Sequence, residues 1–400
     1  MAKKKKKKKT FWRKLWRLTK GSYGVLASTK SFDVNLGTPR VFGYNLTFTA
    51  FVIFLLIAIL GLTILLSNNS VDVETADIVI TGLSDDFEGY KILLISDLNG
   101  KSFGQDHSTL MRKLDNYSFN CVVFAGDMIG KRGNTEMFYS LITQLATYKK
   151  PMYFIAGDMD PDPILDTPRD SASGGYTLKQ LVLNDWVLEA EELGATFVDT
   201  PIQLTKGSSS LWLFPDTYLN MDVNAMLELY KDEVTQQTDS YLEGVEVAKD
   251  NLPLTTYRRN LLYKASALIS SVGANDLLVM ISHEAPTDAQ LLKAQAALSA
   301  EDAKNMFLAP DLVLAGHYCG GEWRLPFIGA LHVNSNILDR YGWFPEDKYV
   351  KGSRTVGNIV VYTTPGLSTN GATWMYGRIN NPPRVSLLTL TGELPASFLE

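Results

Sequence analysis

The sequence predicts an α/β domain over residues 76–400, carried behind one apolar helix. Three observations predict it. Short, continuously apolar runs alternate with segments of helical composition, the pattern of strands covered on both faces. Five of these runs stop abruptly at a residue that can bind a metal or move a proton. One stretch of 22 residues, 46–67, carries no charge.

A chain of 400 residues, 46% hydrophobic and 20% charged, can bury a full core and hold one large or two ordinary domains. Its charge is divided. Residues 1–46 hold 13 Lys/Arg and one acid, Asp33, whereas the remainder holds 25 Lys/Arg against 42 Asp/Glu. Lys3 to Lys9 form an unbroken basic run, followed by Phe11-Trp-Arg-Lys-Leu-Trp-Arg-Leu18. Interleaved aromatics and basics suit the surface of an anionic membrane leaflet, so anionic lipids are the expected partner of tail 1–45. The same residues could contact nucleic acid, but an acidic body argues against a nucleic-acid-binding protein. Stretch 46–67 matches the ~20 apolar residues that a helix needs to cross a bilayer. It reads as an uncleaved anchor, being longer than the ~7–15-residue apolar core of a secretory signal. All nearby positive charge precedes it. The expected localisation is therefore single-pass in a cell membrane, N-terminus cytoplasmic, body extracytoplasmic.

Residues 68–75 read as a polar linker. Lys91 to Ser96 is then a buried strand ending at Asp97-Leu-Asn99, and a helix follows around Ser108 to Asn116. Cys121 to Ala125 is a strand ending at Gly126-Asp127, followed by a helix over about Thr135 to Tyr148. Met152 to Ala156 ends at Gly157-Asp-Met-Asp160. A helix from Trp186 turns into a strand by Val198, and Leu211 to Phe214 is another strand. A mostly helical insertion occupies about 221–271. Leu277 to Ser282 ends at His283, a helix spans about Asp288 to Ala300, and Leu312 to Ala315 ends at Gly316-His317-Tyr318-Cys319. Leu331 to Asn334, Ile359 to Tyr362 and Val385 to Leu390 read as strands of a second sheet. Two cysteines cannot make a disulfide framework. Cys121 has a core position, which leaves Cys319 without a bridging partner.

Ligands in open α/β sheets gather at the C-terminal ends of strands. Five such ends supply Asp97 with Asn99, Asp127, Asp158, His283, and His317 with Cys319. His317 and Cys319, two apart on an extended segment, point the same way. Carboxylate, imidazole and thiol at one edge describe a transition-metal site, with two ions as the natural count. Each aspartate alone could instead be a helix cap, a reading that suits Asp158 and Asp160 best. His283 alone could be a core histidine.

In this order the strand ends resemble the calcineurin-like metallophosphoesterases, specifically their membrane-anchored bacterial branch. That family's D-x-H, G-D, G-N-H-[DE], lone His and G-H-x-H-G-G-Q fall on Asp97-Leu-Asn99, Gly126-Asp127, Gly157-Asp-Met-Asp160, His283 and Gly316-His-Tyr-Cys-Gly-Gly-Glu322. Gly320 to Phe327, Thr364-Pro-Gly-Leu367 and Pro382 to Leu390 extend the match to about 75–392, outside the insertion. The resemblance implies a four-layer α/β/β/α sandwich, a phosphomonoester or phosphodiester substrate, and two divalent cations such as zinc, manganese or iron. It implies that Asp127 bridges them. One cation would also take Asp158, His283 and His317, and the other Asp97, Asn99 and Cys319. Asp158 stands for the family's asparagine and keeps an oxygen ligand. Asn99 and Cys319 stand for histidines. Asparagine is a weak ligand, while a thiolate is a strong one that favours zinc or iron. Met159 stands for the histidine implied to assist the leaving group, and methionine cannot. The nucleophile implied is a water activated by the metals. A general acid adds ~10²–10⁴-fold, so turnover can survive its loss. Asp160 and His107 are candidates to replace it, His107 otherwise being a solvated loop residue. Lys131 and Arg132 could attract an anionic substrate or simply be solvated. The expected function is thus a membrane-anchored phosphoesterase acting on lipid or envelope esters. The alternative is a binding protein or impaired enzyme on the same fold, with one metal and the insertion as lid or partner surface.

Overall fold

The computed structural model describes residues 40–41, 44–169, 178–243, 246–297, 309–333, 342–369 and 377–392. Most of the basic tail, 1–39, lies outside them. The chain divides into two compact units, 1–65 and 66–400.

The uncharged stretch forms α1, Leu46–Asn69, a helix of 24 residues. At ~1.5 Å per residue it is about 36 Å long. It buries no apolar stripe: Phe51, Phe54, Leu56 and Ile57 are each at least 60% exposed. Counted over the described residues alone, no helix is long and apolar enough to cross a membrane. The side chains of 46–49, 60, 66, 67 and 69 fall outside the described set.

The second unit begins with β1, Asp72–Val79. Half of the segment read as a linker is therefore strand. Further along come β2 (Lys91–Ile95), α2 (Ser108–Leu114), β3 (Cys121–Ala125), α3 (Glu136–Ala146) and β4 (Met152–Ile155). After a two-stranded hairpin follow α4 (Asp185–Glu192), β5 (Ala195–Phe197), β6 (Ile202–Lys206) and β7 (Ser209–Pro215). The insertion is α5 (Val223–Leu242) and α6 (Glu246–Ile269). Then come β8 (Leu277–Ile281), α7 (Asp288–Ala297), β9 (Leu312–Ala315), β10 (Gly352–Val356), β11 (Ile359–Thr363) and β12 (Arg384–Thr391).

These strands build two six-stranded sheets, ordered β1-β12-β2-β3-β4-β5 and β6-β7-β8-β9-β11-β10. The neighbours β2-β3-β4 and β7-β8-β9-β11 are parallel. Every residue of β3, β7, β8, β9 and β11 is buried, which is why these strands run apolar rather than alternating, apart from Ser209, Ser210 and Thr363 at strand ends. One apolar cluster joins inward side chains of both sheets, among them Ile92, Leu94, Val123, Leu213, Val279 and Leu314. A second packs the first sheet against α2, α3 and α4, and a third packs the other sheet against α5, α6 and α7. The order is thus helices, sheet, sheet, helices. Within α3, Phe138, Leu141, Ile142 and Leu145 are buried, one stripe at helical spacing. Fully buried aliphatic side chains such as Ile92 and Leu314 contribute about 1.5–3 kcal/mol each.

Two expectations need correction. Val385–Leu390 does not join the second sheet: β12 lies in the first, parallel to β1 and antiparallel to β2. A strand buried on both faces reads the same in either sheet, so its pattern does not say which edge it covers. Leu331–Asn334 is not a strand over its described residues; only an isolated bridge, His332 to Trp343, forms there. The insertion is integral to the fold, because Val223, Leu227, Leu262 and Ala265 belong to the core of the outer helical layer.

Candidate metal centre

Five of the nominated residues sit two or three positions beyond their strands, and Asn99 and Cys319 sit four beyond. Asp97 follows β2, Asp127 follows β3, Asp158 follows β4, His283 follows β8 and His317 follows β9. The turns away from the strands are sharp. Asp97, Asp127 and His317 have φ of 55°, 56° and 71°, and Asn99 and Cys319 are left-handed as well, at 49° each. Side chains other than glycine avoid this region, and clusters of such residues mark sites where the surrounding structure overrides local preference. Neighbouring loops hold one another by backbone bonds: Asp97 N–H to the Gly126 carbonyl at 3.1 Å, Asn99 N–H to the Asp127 carbonyl at 2.8 Å. Two glycines are required by close approach. A Cβ on Gly126 would lie 2.7 Å from the Gly157 Cα and from His283 Nδ1, and a Cβ on Gly157 would overlap the Asp127 amide and carboxylate.

Four of the side chains converge. Asp127, Asp158, His283 and His317 each offer a ligand atom, all within 4.8 Å of one another. His283 Nε2 lies 3.1 Å from Asp127 Oδ2 and 3.0 Å from Asp158 Oδ1. His317 Nδ1 lies 3.4 Å from Asp158 Oδ1 and 3.2 Å from His283 Nε2. Ligands ~2.1 Å from one cation are roughly 3.0 Å apart in an octahedron and about 3.4 Å apart in a tetrahedron. The observed spacings fall in that range. In the His283–His317 contact, at 3.2 Å, one of the two imidazole nitrogens can donate to the other in the metal-free chain. A divalent cation satisfies both lone pairs.

His283 is held by a bond across the two sheets, with Nδ1 at 2.8 Å from the Ala125 carbonyl. That contact makes Nδ1 the donor and leaves Nε2 for the cluster. The electrostatics fit a cation. Hydrogen bonds from His283, then His317, hold the Asp158 carboxyl far below the usual range. Burial opposes charge on His283, but the Asp127 and Asp158 carboxylates outweigh it and raise the imidazole well above its ordinary value. His317 is raised in the same way, burial being overcome chiefly by Asp158.

Among the described residues, Asp97 and Cys319 form no further group of three or more carboxylate, imidazole and thiol donors. Asp97 is fully buried, accepts the Ser96 hydroxyl on Oδ2 and leaves Oδ1 without a partner. Burial, with Asp127 nearby, raises its carboxyl despite the opposing pull of His283. Asn99 donates its amide to the Thr369 carbonyl at 3.3 Å. Cys319 is fully buried, and burial together with Asp97 raises its thiol well above the ordinary value. Burial thus disfavours the thiolate in the metal-free chain.

Asp160 caps no described helix and engages backbone amides with both carboxylate oxygens. Its Oδ1 accepts from the Ile129 and Gly130 amides at 2.7 and 3.1 Å. Its Oδ2 accepts from Gly157 at 2.9 Å and Met128 at 3.3 Å. It braces the loop after β3 against the loop after β4. His107 is not solvated but fully buried, its Nε2 on the Met137 carbonyl at 2.9 Å and its basicity lowered by burial. Lys131 and Arg132 are exposed. Met159 contributes only its amide, to Asp127 Oδ1 at 2.8 Å.

Sequence reasoning missed three participants. Glu284 and Tyr318 stand next to His283 and His317, and Tyr318 donates its hydroxyl to Glu284 Oε1 at 3.0 Å. Adjacency to a ligand was the available signal. Arg378 is fully buried and donates to the carbonyls of Cys319 (2.6 Å), Gly366 (2.7 Å), Ser368 (3.0 Å) and Pro365. Nothing in the pattern around residue 378 marks a buried guanidinium.

Paired α/β sheets with two carboxylates and two imidazoles at their edge define a protein positioned to bind a divalent cation. The family profile for calcineurin-like phosphoesterases matches residues 90–321, and the chain belongs to that family. Its members act on phosphate esters with divalent metals. No curated protein sequence matches the chain. Among solved structures it is similar to the phosphopantetheinyl hydrolase PptH of Mycobacterium tuberculosis, at 12% identity and TM-score 0.32, covering 70% of this chain and 91% of that one. It is also similar to the sulfate thiohydrolase SoxB of Thermus thermophilus, in complex with glycerol, at 11% identity and TM-score 0.30, covering 78% of this chain and 60% of that one.

Proposed function

We propose that this chain is a membrane-anchored, extracytoplasmic phosphoesterase that works with a divalent metal held by Asp127, Asp158, His283 and His317. The observation that carries this reading is the set of ligand–ligand spacings, 3.0 to 3.4 Å, which matches coordination of one cation. When bound, the metal would polarise a phosphoryl oxygen and lower the pKa of a water. The chain's own residues orient the donors: the Ala125 carbonyl sets His283, Asp160 fixes the two loops, and the Met159 amide steers Asp127. A second metal at Asp97, Asn99 and Cys319 is proposed as the weaker half, because the amide is engaged by Thr369 and burial disfavours the thiolate. The uncharged helix α1 supports the anchor, and the preceding positive charge supports an outward-facing body. Anchoring favours esters at the bilayer surface, such as lipid headgroups or envelope precursors.

A second reading, an impaired enzyme or binding protein with one metal, is favoured by Met159 standing where the family has its histidine. One experiment separates the two. The full chain is purified in detergent, its metals are counted by mass spectrometry, and an aryl phosphodiester is assayed with added manganese or zinc. Turnover abolished by Asp127→Asn supports the enzyme. Metal binding without turnover supports the binding protein, and no metal at all overturns both.

A further inference from the structure

His317 enters the cluster through Nδ1, so its Nε2 faces the other way. What it faces is Glu284, with Oε1 at 3.9 Å. The same oxygen accepts the Tyr318 hydroxyl at 3.0 Å. Tyr318 is 2% exposed, and its ring packs edge-on against His317, centroids 5.2 Å apart and planes at 74°. The chain Tyr318–Glu284–His317 therefore ends at the metal donors.

We propose that Glu284, held by Tyr318, is a positioning residue that orients His317 toward the metal. The inference rests on the metal centre proposed above. Its physical basis is the two-sidedness of imidazole: a proton held on one nitrogen leaves the lone pair on the other free for a cation. Glu284 accepts a hydrogen bond from Nε2–H, which keeps the proton on Nε2 and so commits the Nδ1 lone pair to the cluster. His283 uses the same device with its nitrogens exchanged, Nδ1 on the Ala125 carbonyl and Nε2 in the cluster. A carboxylate differs from a carbonyl in adding negative charge, which makes the histidine a stronger donor to the metal. At 3.9 Å the pair closes by a small side-chain rotation or through one water. The Glu284 side chain is 28% exposed and lines a cavity of about 320 Å³ with Asp216, Asn220 and Gln290.

The test is metal affinity, measured on the full chain in detergent by competition with a chromophoric zinc chelator. Loss of such an outer carboxylate typically weakens a metal site 10–100-fold. Glu284→Ala is expected to raise the zinc Kd by that factor. Glu284→Gln keeps an oxygen that can accept from Nε2 but lacks the charge, and is expected to recover part of the loss. Tyr318→Phe removes one hydroxyl and nothing else, so it separates positioning from packing; it is expected to raise the Kd by roughly three- to tenfold. Unfolding of each metal-free variant is followed in parallel, and its midpoint is expected to stay at the wild-type value. A Glu284→Ala Kd within twofold of wild type, or a Tyr318→Phe Kd equal to wild type, overturns the role and leaves the metal centre standing. A wild-type chain that binds zinc no better than Asp127→Asn overturns the metal centre and this role with it.

Discussion

Asp160→Asn isolates the brace beneath the site from the site itself. Both carboxylate oxygens are used, each accepting two backbone N–H groups, from Ile129 and Gly130 on Oδ1 and from Gly157 and Met128 on Oδ2. Asparagine has the same shape but one oxygen. Whichever way its amide turns, an NH₂ faces two N–H donors, so two bonds are lost and two donors are left opposed. Bonds to a charged acceptor contribute about 1.5–3 kcal/mol each. The longer bond of each pair counts at the low end, and the side chain's partial exposure reduces the rest. The expected loss is about 3 kcal/mol, or a midpoint about 6 °C lower for a domain of this size. The assay is urea unfolding of the metal-free full chain, read as a shift in midpoint at unchanged slope. Asp158→Asn is the control. Asp158 accepts no backbone N–H among the described contacts, and its side chain is 60% exposed. It is expected to weaken metal binding at least tenfold while leaving the backbone bonds of the brace intact. A loss below about 1 kcal/mol in Asp160→Asn refutes the brace.

Gly157→Ala places a Cβ against the Asp127 backbone amide as well as its carboxylate, which no rotamer relieves; a loss of about 3 kcal/mol together with metal binding is expected in the same unfolding and chelator assays. Arg378→Met leaves the carbonyls of Cys319, Pro365, Gly366 and Ser368 without their buried donor, and the urea midpoint should report at least about 3 kcal/mol. Burial, with Arg378 adding, pushes Lys101 down to about 8 from 10.5. Between those values the unfolded chain keeps a proton that the folded chain has released, so Lys101 makes stability rise with pH across that window. Lys101→Met should therefore have a stability advantage over wild type at pH 7 that shrinks from pH 8 to 10.5, measured by unfolding at each pH. Cys121 and Cys319 are both fully buried, and burial pushes Cys121 up to about 12 and Cys319 well above its ordinary value. A water-soluble maleimide at pH 7 should label neither until the chain unfolds.

The four converging donors were legible because their signal is local. Asp127, Asp158, His283 and His317 each follow an apolar run within three residues, and parallel strands bring such ends to one edge whatever the loops between them do. The state of Cys319 was not legible. Whether a thiol beside a metal site ionises depends on burial and on the charge of Asp97, 222 positions earlier in the chain. Nor could the sequence show that His107 is buried against the Met137 carbonyl rather than solvated, because a loop histidine has no pattern that reports what packs over it.

The chain's sequence by itself determined the class of fold, the charge division between tail and body, and the residue types at the strand ends. These follow from periodicity and composition, which act between near neighbours. Tertiary structure alone decided that Val385–Leu390 pairs with β1 and β2, that Asp160 is a brace, and that Glu284 and Tyr318 stand behind His317. The physical reason is that hydrogen-bond pairing and burial are settled between residues far apart in the chain. The Arg378 amide reaches Asn68 across 310 positions, and the Arg378 guanidinium reaches Cys319 across 59. No local pattern carries that information.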